Sequence, residues 1–572
     1  MRSFVAEGAP QDDGSTGGIF SQPLRVTVFL QALSIALNLF VFLPSLGSGA
    51  EAAGPRADQA VETEQQIDRM SPTERIGQLL FVGFPGTEAT GELAPMLEEW
   101  NAGGVVLYRW NIESAEQLRA LTADIRRRSR TAPFIAVDEE GGTVHRVPVS
   151  IPWLPSAMSL GAARSPELAR TAGRVLGASL RKLGITMNLA PVLDIASNPA
   201  STLSTRLFSD RASLVSDLGS AFIDGQQQSG IIPVAKHYPG IGASGGDSHS
   251  VVINAAVTPS ELRERELLPW RRAIAAGLDA VMTGHVAFPL VDTTAAPATL
   301  SRVLLTDILG KELGFNGVVI TDEIVMQGLG PGSRGKVALR AIEAGADMVM
   351  VVGGRNDRFE AFTGLMRAYS TGALTEERVR QSLRRILSLK SRNSPVGEGP
   401  QGSGPVSGRI AEEIAEASVT LLKNRGSLLP LPRADAKRAR FLGEAGPLAS
   451  RFTGPRTLQR GRSHPPADSS AVSAKLAVLA VSNALQLKEA EAFAKTHPAS
   501  RMILVLLGSP AELRPSFNAD AIVVAYGSGE AVQRAVGKLL FGEICPKGRL
   551  PLTVKGFAKF GDGMTGCLKR TK

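Results

Sequence analysis

Polar residues that could bind a ligand or exchange protons with it occur repeatedly, directly after short apolar runs of this chain. They are Arg109, Asp138, Glu139, Glu140, Asp194, Lys236, His237, His285 and Asp322. Carboxylates accept hydrogen bonds from hydroxyl groups, and cationic side chains donate to them, so such a mixture suits a polyol ligand. The chain shows no nucleophilic serine or cysteine elbow beside these residues. The set therefore favours chemistry on a sugar.

Asp322 is the strongest candidate for a nucleophile. It follows the apolar run 319–321, so its carboxylate would lie at the end of a buried strand, and the cations predicted nearby would keep it ionised. Cleavage of a glycosidic bond with retention needs such a carboxylate at the anomeric carbon, together with a proton donor for the leaving oxygen. An N-cap for a helix beginning near Ile324 is the alternative interpretation.

A proton donor is predicted in the loop 238–249, which follows Lys236 and His237. Its glycines and its proline permit tight turns and positive φ values. Asp247 and His249 are two residues apart, which lets the carboxylate hold one imidazole nitrogen and raise the basicity of the other. A histidine held in this way can donate a proton and later accept one from water. A surface loop with incidental polar residues is the competing interpretation.

Eight strand-like runs alternate with amphipathic helix-like stretches between residues 71 and 390. The strand candidates are 78–84, 104–108, 134–137, 186–189, 232–235, 280–283, 317–320 and 347–352. This alternation predicts an α/β fold with an N-terminal (β/α)₈ TIM-like barrel, in which the carboxyl ends of all strands meet on one face. A doubly wound open sheet is the competitor, but no GxGxxG motif follows the first strand.

A smaller α/β sandwich domain is predicted after the barrel. A linker rich in proline, glycine and serine covers 391–409, and the second domain covers 410–556. Its buried parallel strands are predicted at 476–481, 502–507 and 521–525. No structure is assigned to 432–472 or to the tail 557–572.

The leader, residues 1–70, contains one apolar run at 26–43, preceded by Arg25 and followed by small residues. This pattern predicts an exported protein of bacterial type, extracellular, periplasmic or membrane-anchored, depending on whether the run is a cleaved signal or an anchor. A buried helix is the alternative. Residues 47–70 are interpreted as a tether.

Composition narrows the range of partners. The formal charge of +9 is scattered over helix-like stretches without interleaved aromatic residues, so nucleic acid is not expected. Cys545 and Cys567 form no CxxC pair, and the six histidines have no metal-ligand spacing, so neither a metal nor a cofactor is expected. The sequence leaves open whether the two cysteines pair and what the oligomeric state is.

Five stretches of the predicted barrel carry a family resemblance. They are 138–146 (DEEGGTVHR), 188–194 (NLAPVLD), 206–210 (RLFSD), 236–249 (KHYPG through DSH) and 314–322 (GFNGVVITD). In this order they resemble glycoside hydrolase family 3, and within it the β-N-acetylglucosaminidase branch. The stretches 417–424, 428–431, 540–543 and 548–552 look like the second domain of that family.

The resemblance implies a role for each matching residue. Asp322 matches the nucleophile, His249 the general acid/base and Asp247 its orienting partner. The residues that match binders of the terminal N-acetylglucosamine are Asp138, Arg146, Arg206, Lys236 and His237. The β-glucosidases of the family typically have tryptophan after the nucleophile and lack the Asp-Ser-His loop, so Glu323 and the loop favour the amino-sugar branch. Ile241, Glu323 and Thr143 depart from the usual family residues, which leaves rate and subsite details open.

The expected reaction is removal of terminal β-GlcNAc from peptidoglycan-derived or related glycans. Three alternatives stay open. A phosphorylase could use the same site, since a neutral histidine repels phosphate less than a carboxylate does. The chain could also be a β-glucosidase of the same family or a glycan-binding protein without turnover.

Overall fold

Eight parallel strands close into a barrel, which confirms the predicted TIM-like fold and excludes the open sheet. The structure, a computed structural model, describes residues 57–199, 201–246, 253–329, 332–392, 406–444, 446–454, 456–457 and 475–569. In order around the barrel the strands are β1 (Leu80–Val82), β12 (Met348–Val351), β11 (Val318–Glu323), β9 (Ala280–Thr283), β7 (Ile232–Tyr238), β6 (Met187–Asn188), β3 (Phe134–Val137) and β2 (Gly104–Leu107). Two small sheets add β4 (Glu139–Gly141) with β5 (Val144–His145), and β8 (Ile253–Asn254) with β10 (Val286–Ala287).

Helices alternate with these strands. The α-helices are Ala57–Arg69, Pro72–Gly77, Leu93–Glu98, Ala115–Arg128, Ala157–Ala163, Pro166–Arg181, Ala212–Gln228, Pro259–Glu261, Leu268–Ala275, Arg334–Ala344, Arg355–Ser370 and Glu376–Arg392. Two π-helical segments are Leu262–Glu266 and Val303–Glu312. Short 3₁₀ turns include Arg109–Asn111, Ser204–Arg206, Ala298–Leu300 and Gln327–Leu329.

Side-chain caps start two of these helices. The Ser165 side chain accepts a hydrogen bond from the backbone N–H of Leu168, with Pro166 at the first helical position. Thr258 and Glu261 form a reciprocal capping box. These caps fix the residues at which the two helices begin.

The second domain is a six-stranded sheet with helices. Its strands, in spatial order, are β13 (Thr420–Asn424), β18 (Ala521–Val524), β17 (Arg501–Leu506), β16 (Leu476–Val481), β14 (Arg440–Leu442) and β15 (Arg456–Thr457). All neighbouring pairs are parallel except β13 with β18. The helices are Val406–Ser418, Arg433–Arg438, Ala484–Thr496 and Glu530–Leu540, with 3₁₀ turns at Arg425–Ser427, Ala449–Arg451 and Pro510–Glu512. The three predicted parallel strands are therefore confirmed.

The described parts of three segments to which the sequence analysis assigned no secondary structure contain a strand, a helix and a disulfide. Within 432–472, β14 joins the second sheet, although its three residues are too few for a periodic signal. Within the predicted tether, the helix Ala57–Arg69 packs on the helix Glu376–Arg392, where Arg380 pairs with Glu64 at 2.7 Å. The tail is tied back by a disulfide between Cys545 and Cys567.

The barrel and the second sheet belong to one compact unit, Pro55–Lys572. Arg164 of the barrel donates to the carbonyl oxygen of Leu550 at 3.0 Å, and its guanidinium lies 4.2 Å from the centre of the Phe560 ring. The carboxylate of Asp210 accepts from the backbone N–H of Thr553 at 2.9 Å. The exact domain boundaries stay a prediction. Among the described residues no helix has the length and apolarity needed to cross a bilayer, and the run 26–43 lies outside them.

Candidate active site

The predicted residues come together at the carboxyl ends of the barrel strands. Asp138 directly follows β3, Lys236 and His237 belong to β7, and Asp322 belongs to β11. In a closed parallel barrel these positions share one face, which is where loops build a site. Arg206 reaches the same face from the loop between β6 and the helix Ala212–Gln228, as its contacts with the β3 loop show.

Glu140 is the hub of this cluster. Its carboxylate receives two parallel hydrogen bonds from Arg206, at 2.9 Å from Nε and 2.8 Å from Nη2. Lys236 Nζ lies 2.7 Å from Glu140 Oε1 and also pairs with Asp138. The side chains of Lys236 and Glu140 are only 3% and 6% exposed. Two carboxylates thus balance two cations in a space nearly closed to water.

Opposite charges offset the cost of burying the ionised forms of Glu140 and Lys236. Burial alone would raise the pKa of Glu140, but the charges of Arg206 and Lys236 hold that pKa far below its usual range. Burial alone would lower the pKa of Lys236, yet Asp138 and Glu140 raise it. Because each charge has an opposite partner, the cluster can stay ionised in a buried place.

Several polar atoms of the cluster remain open to a ligand. The ammonium group of Lys236 has three N–H donors, and its contacts with Asp138 and Glu140 use two of them. Arg146 Nε is buried, and the described part of the chain supplies no hydrogen-bond partner for it. A buried donor without a partner costs free energy, so it is a place where a ligand oxygen would be stabilised. These donors match the hydroxyl and amide oxygens of a sugar.

His237 is held in one orientation by Asp194. Its Nδ1 lies 2.8 Å from Asp194 Oδ2, while Asp194 Oδ1 accepts from the backbone N–H of Ile241 at 2.6 Å. The carboxylate is fully buried and thereby joins β7 to the first residues of the following loop. This pairing fixes the tautomer and makes Nε2 the nitrogen available to a ligand.

Asp322 is kept ionised by its surroundings. Burial would raise the pKa of its carboxyl, but the nearby imidazoles of His285 and His237 lower it, as do the backbone N–H of Glu323 and the charge of Lys236. That N–H donates to Asp322 Oδ1 at 2.8 Å. An ionised carboxylate largely withdrawn from water can attack an electron-poor carbon, which is the chemistry expected from the sequence.

Glu323 differs from its neighbour in protonation. Its Oε1 accepts from the N–H of Val325 at 2.8 Å, and its Oε2 accepts from the N–H of Val352. Burial is the main reason that its pKa rises to about 7, and the charge of Asp322 adds to the rise. The backbone oxygen of Glu323 lies 2.9 Å from His285 Nε2, which ties the strand end to the neighbouring strand β9.

Some expectations about the site change or fall outside the structure. Asp247 and His249 lie outside the described residues, so their roles stay predictions. Arg109 Nη1 donates to Ile112 O at 2.7 Å within its own loop. The sequence assigned no role to Glu140, although its place in the run 138–140 was a signal. Asp322 is the end of a strand and does not cap a helix.

The described residues contain no group of three or more histidine, cysteine, aspartate or glutamate side chains placed to hold a metal ion. The carboxylates of the cluster are instead paired with Lys236, Arg206 and His237.

Comparison with known protein families identifies the family of this chain. The pattern described as "Glycosyl hydrolase family 3 N terminal domain" matches residues 72–389, which is more than half of the chain. The chain belongs to glycosyl hydrolase family 3. The resemblance drawn from the sequence is confirmed, and the matched range contains the whole barrel.

Curated relatives agree with this membership. A β-hexosaminidase of Chromobacterium violaceum is 40% identical over 276 residues, covering 47% of this chain and 76% of the relative. A β-hexosaminidase of Nitrosomonas eutropha is 34% identical over 320 residues, covering 54% of this chain and 91% of the relative. This family 3 protein is therefore an enzyme, a glycoside hydrolase.

Solved structures extend the likeness to the second domain. A glycoside hydrolase family 3 β-N-acetylglucosaminidase from Paenibacillus sp. str. FPU-7 is 30% identical, with a TM-score of 0.78, over 85% of this chain and 99% of that one. A β-glucoside phosphorylase has a TM-score of 0.75 at 22% identity, over 87% of this chain and 96% of that one, which shows a shared fold only.

The raised pKa of Glu323 predicts a pH-dependent cost in stability. Its pKa of about 7 in the folded protein lies above the ordinary 4.5, so folding disfavours the charged form, and stability falls as pH rises through 7. Glu323→Gln removes the charge. The Tm of the variant minus the Tm of the wild type is therefore expected to be a few degrees more positive at pH 8 than at pH 5.

Glu489→Gln, at an exposed position, reports the effect of the same charge change at the surface. Thermal unfolding of the three proteins at both pH values is the measurement. A Tm difference for Glu323→Gln that is constant between pH 5 and pH 8 contradicts the prediction.

Proposed function

We propose that this enzyme is a retaining, exo-acting β-N-acetylglucosaminidase. The observation that carries the proposal is Asp322, a carboxylate at the carboxyl end of β11 whose pKa is lowered, against the effect of burial, by His285, His237 and Lys236. A nucleophile and a set of sugar-binding donors thus share one small space. The β-hexosaminidases among the relatives and the β-N-acetylglucosaminidase structure support the amino sugar as substrate.

In the proposed first step the terminal sugar lies against Asp138, Arg146, Arg206, Lys236 and His237. An oxygen of Asp322 forms a bond to the anomeric carbon while the glycosidic bond breaks. The leaving oxygen takes a proton from His249, which Asp247 orients. The products are a glycosyl ester on Asp322 and the released remainder of the glycan.

In the second step water attacks the same carbon. His249, now neutral, takes a proton from this water, and the ester bond to Asp322 breaks. Two inversions leave the β configuration unchanged. The ion pairs around Glu140 hold the sugar-binding donors in place through both steps without changing their charge.

We further propose that the substrates are peptidoglycan-derived or related amino-sugar glycans and that the protein is exported through the apolar run 26–43, either released or kept at the membrane. The support is the sequence pattern of the leader alone. Such a location would place the enzyme beside cell-wall glycans.

Comparison of two aryl glycosides tests the function. We expect kcat/KM for an aryl β-GlcNAc substrate to exceed that for the matching aryl β-glucoside by roughly a hundredfold, because a site that binds the acetamido group leaves its partners unpaired with glucose. Equal rates contradict the amino-sugar assignment.

The same assay run in phosphate buffer separates hydrolysis from phosphorolysis: hydrolysis yields GlcNAc, whereas GlcNAc-1-phosphate would show a phosphorylase. Binding without turnover would show a glycan-binding protein.

Asp322→Asn is expected to lower kcat on aryl β-GlcNAc by roughly a thousandfold or more, since the amide cannot form the glycosyl ester. The asparagine oxygen can still accept the hydrogen bond from the Glu323 backbone, so the Tm should stay close to that of the wild type. Asp307→Asn, an aspartate on the barrel exterior, is the control. Turnover near the wild-type rate in a folded Asp322→Asn protein rules out this nucleophile.

His249→Ala is expected to slow substrates according to their leaving group. A disaccharide needs its leaving oxygen protonated, so its kcat/KM should fall by about a hundredfold or more, whereas a dinitrophenyl glycoside, which leaves as a stable anion, should be slowed far less. Steady-state rates on both substrates give the comparison. Equal slowing argues against an acid role for His249.

A further inference from the structure

Two of the four tryptophans of the chain are exposed, and both belong to loops that follow barrel strands. Trp110 is 56% exposed and Trp153 is 46% exposed, whereas Trp270 is fully buried and Trp100 stacks on Phe362. Exposing a large aromatic surface forgoes the stabilisation that its burial would give. An exposed tryptophan beside a binding site offers a large, flat aromatic face on which a ligand can pack.

Trp110 is held rigidly although it is exposed. Its ring stacks on the ring of Tyr108, with centroids 4.5 Å apart and planes 3° from parallel. Its Nε1 donates to the carbonyl oxygen of Phe84 at 3.2 Å, and Asn111 donates to the same oxygen at 3.1 Å. Phe84 follows β1, so these bonds join the loops after β1 and β2. The indole is thus held by the stacking of one face on Tyr108 and by the hydrogen bond that its N–H group donates to Phe84.

Tyr108 links this ring to the catalytic cluster. Burial is the main cause that raises the pKa of its phenol, and the charges of Asp138, Glu323 and Asp322 raise it further. Tyr108 therefore lies within electrostatic reach of the nucleophile and of the sugar-binding pair. Trp110 stacks on Tyr108, and its own ring is exposed to solvent.

Trp153 has different surroundings. It stacks on His145 with centroids 5.5 Å apart, and its Nε1 donates to Gly142 O at 2.7 Å. It also faces the second domain, where a side chain placed on Gly529 would lie 3.8 Å from the indole. Its contacts join the barrel to the second domain, so Trp153 is not the better candidate for a ligand surface.

We infer that Trp110 is the stacking surface for the second sugar of the substrate, the residue on the reducing side of the bond that is cleaved. The inference rests on the proposed function, which puts the terminal sugar in the buried cluster and leaves the next sugar at the mouth. One face of a pyranose ring presents C–H bonds, which pack on an aromatic face by dispersion and by exclusion of water. Trp110 therefore contributes to specificity by favouring glycans over glycosides with small leaving groups.

Two substrates separate this role from catalysis at the terminal sugar. The β-1,4-linked disaccharide of GlcNAc places a pyranose beyond the cleaved bond, whereas β-GlcNAc azide releases a leaving group that has no ring. We expect Trp110→Ala to lower the ratio of kcat/KM for the disaccharide to kcat/KM for the azide about tenfold, mainly through a higher KM for the disaccharide. Trp110→Phe, which keeps an aromatic face, should restore most of the ratio.

Phe359→Ala is the matched control, because Phe359 is 58% exposed on the helix Arg355–Ser370. It should leave the ratio at the wild-type value. A ratio within twofold of the wild type in Trp110→Ala, or an equal loss on both substrates, overturns the inference while leaving the proposed function intact. A wild-type enzyme that turns over neither substrate overturns both.

Discussion

The carboxylate of Glu140, shared between Arg206 and Lys236, is the interaction on which the site depends. Arg206 lies in the loop after β6 and Lys236 in strand β7, and both bind this carboxylate, which belongs to the segment that follows β3. Each cation would be costly to bury without it, and the carboxylate would be costly without them. The barrel supplies the closure that brings these three segments together, and the ion pairs then fix their relative positions. The donors that remain open are consequently arranged before any sugar arrives.

Neutrality in this cluster also affects Asp322, the candidate nucleophile. Because Asp138 and Glu140 are paired with Lys236 and Arg206, they do not add an unbalanced negative charge next to Asp322. The pKa of Asp322 is lowered, against the effect of burial, by His285, His237, the backbone N–H of Glu323 and Lys236. Burial raises the pKa of Glu323, one residue on, to about 7, although its carboxyl group accepts hydrogen bonds from two backbone N–H groups. Two adjacent carboxyls on one strand therefore differ in protonation through their surroundings.

The sequence predicted the barrel well because eight apolar runs with polar ends form a repeated signal, and each repetition strengthens the others. It predicted the candidate residues wherever a polar residue directly followed such a run, as at Asp138 and Lys236. It could not tell that Arg109, in the same type of position, would hydrogen-bond to Ile112 instead, because that depends on the 3₁₀ turn of its loop. Nor could it foresee the three-residue strand β14, whose stability comes from its neighbour β16 and not from its own pattern.

The second domain is joined to the barrel by more than a linker. Leu203 and Leu207 from the loop after β6 share an apolar cluster with Leu504 of β17 and Leu550 of the C-terminal segment. The same loop carries Arg206. A chain cut after the last barrel helix would lose the apolar residues of the second domain that pack against this loop. The second domain therefore stabilises the position of Arg206 in the cluster. A barrel of this family without a second domain would need other contacts to stabilise that loop.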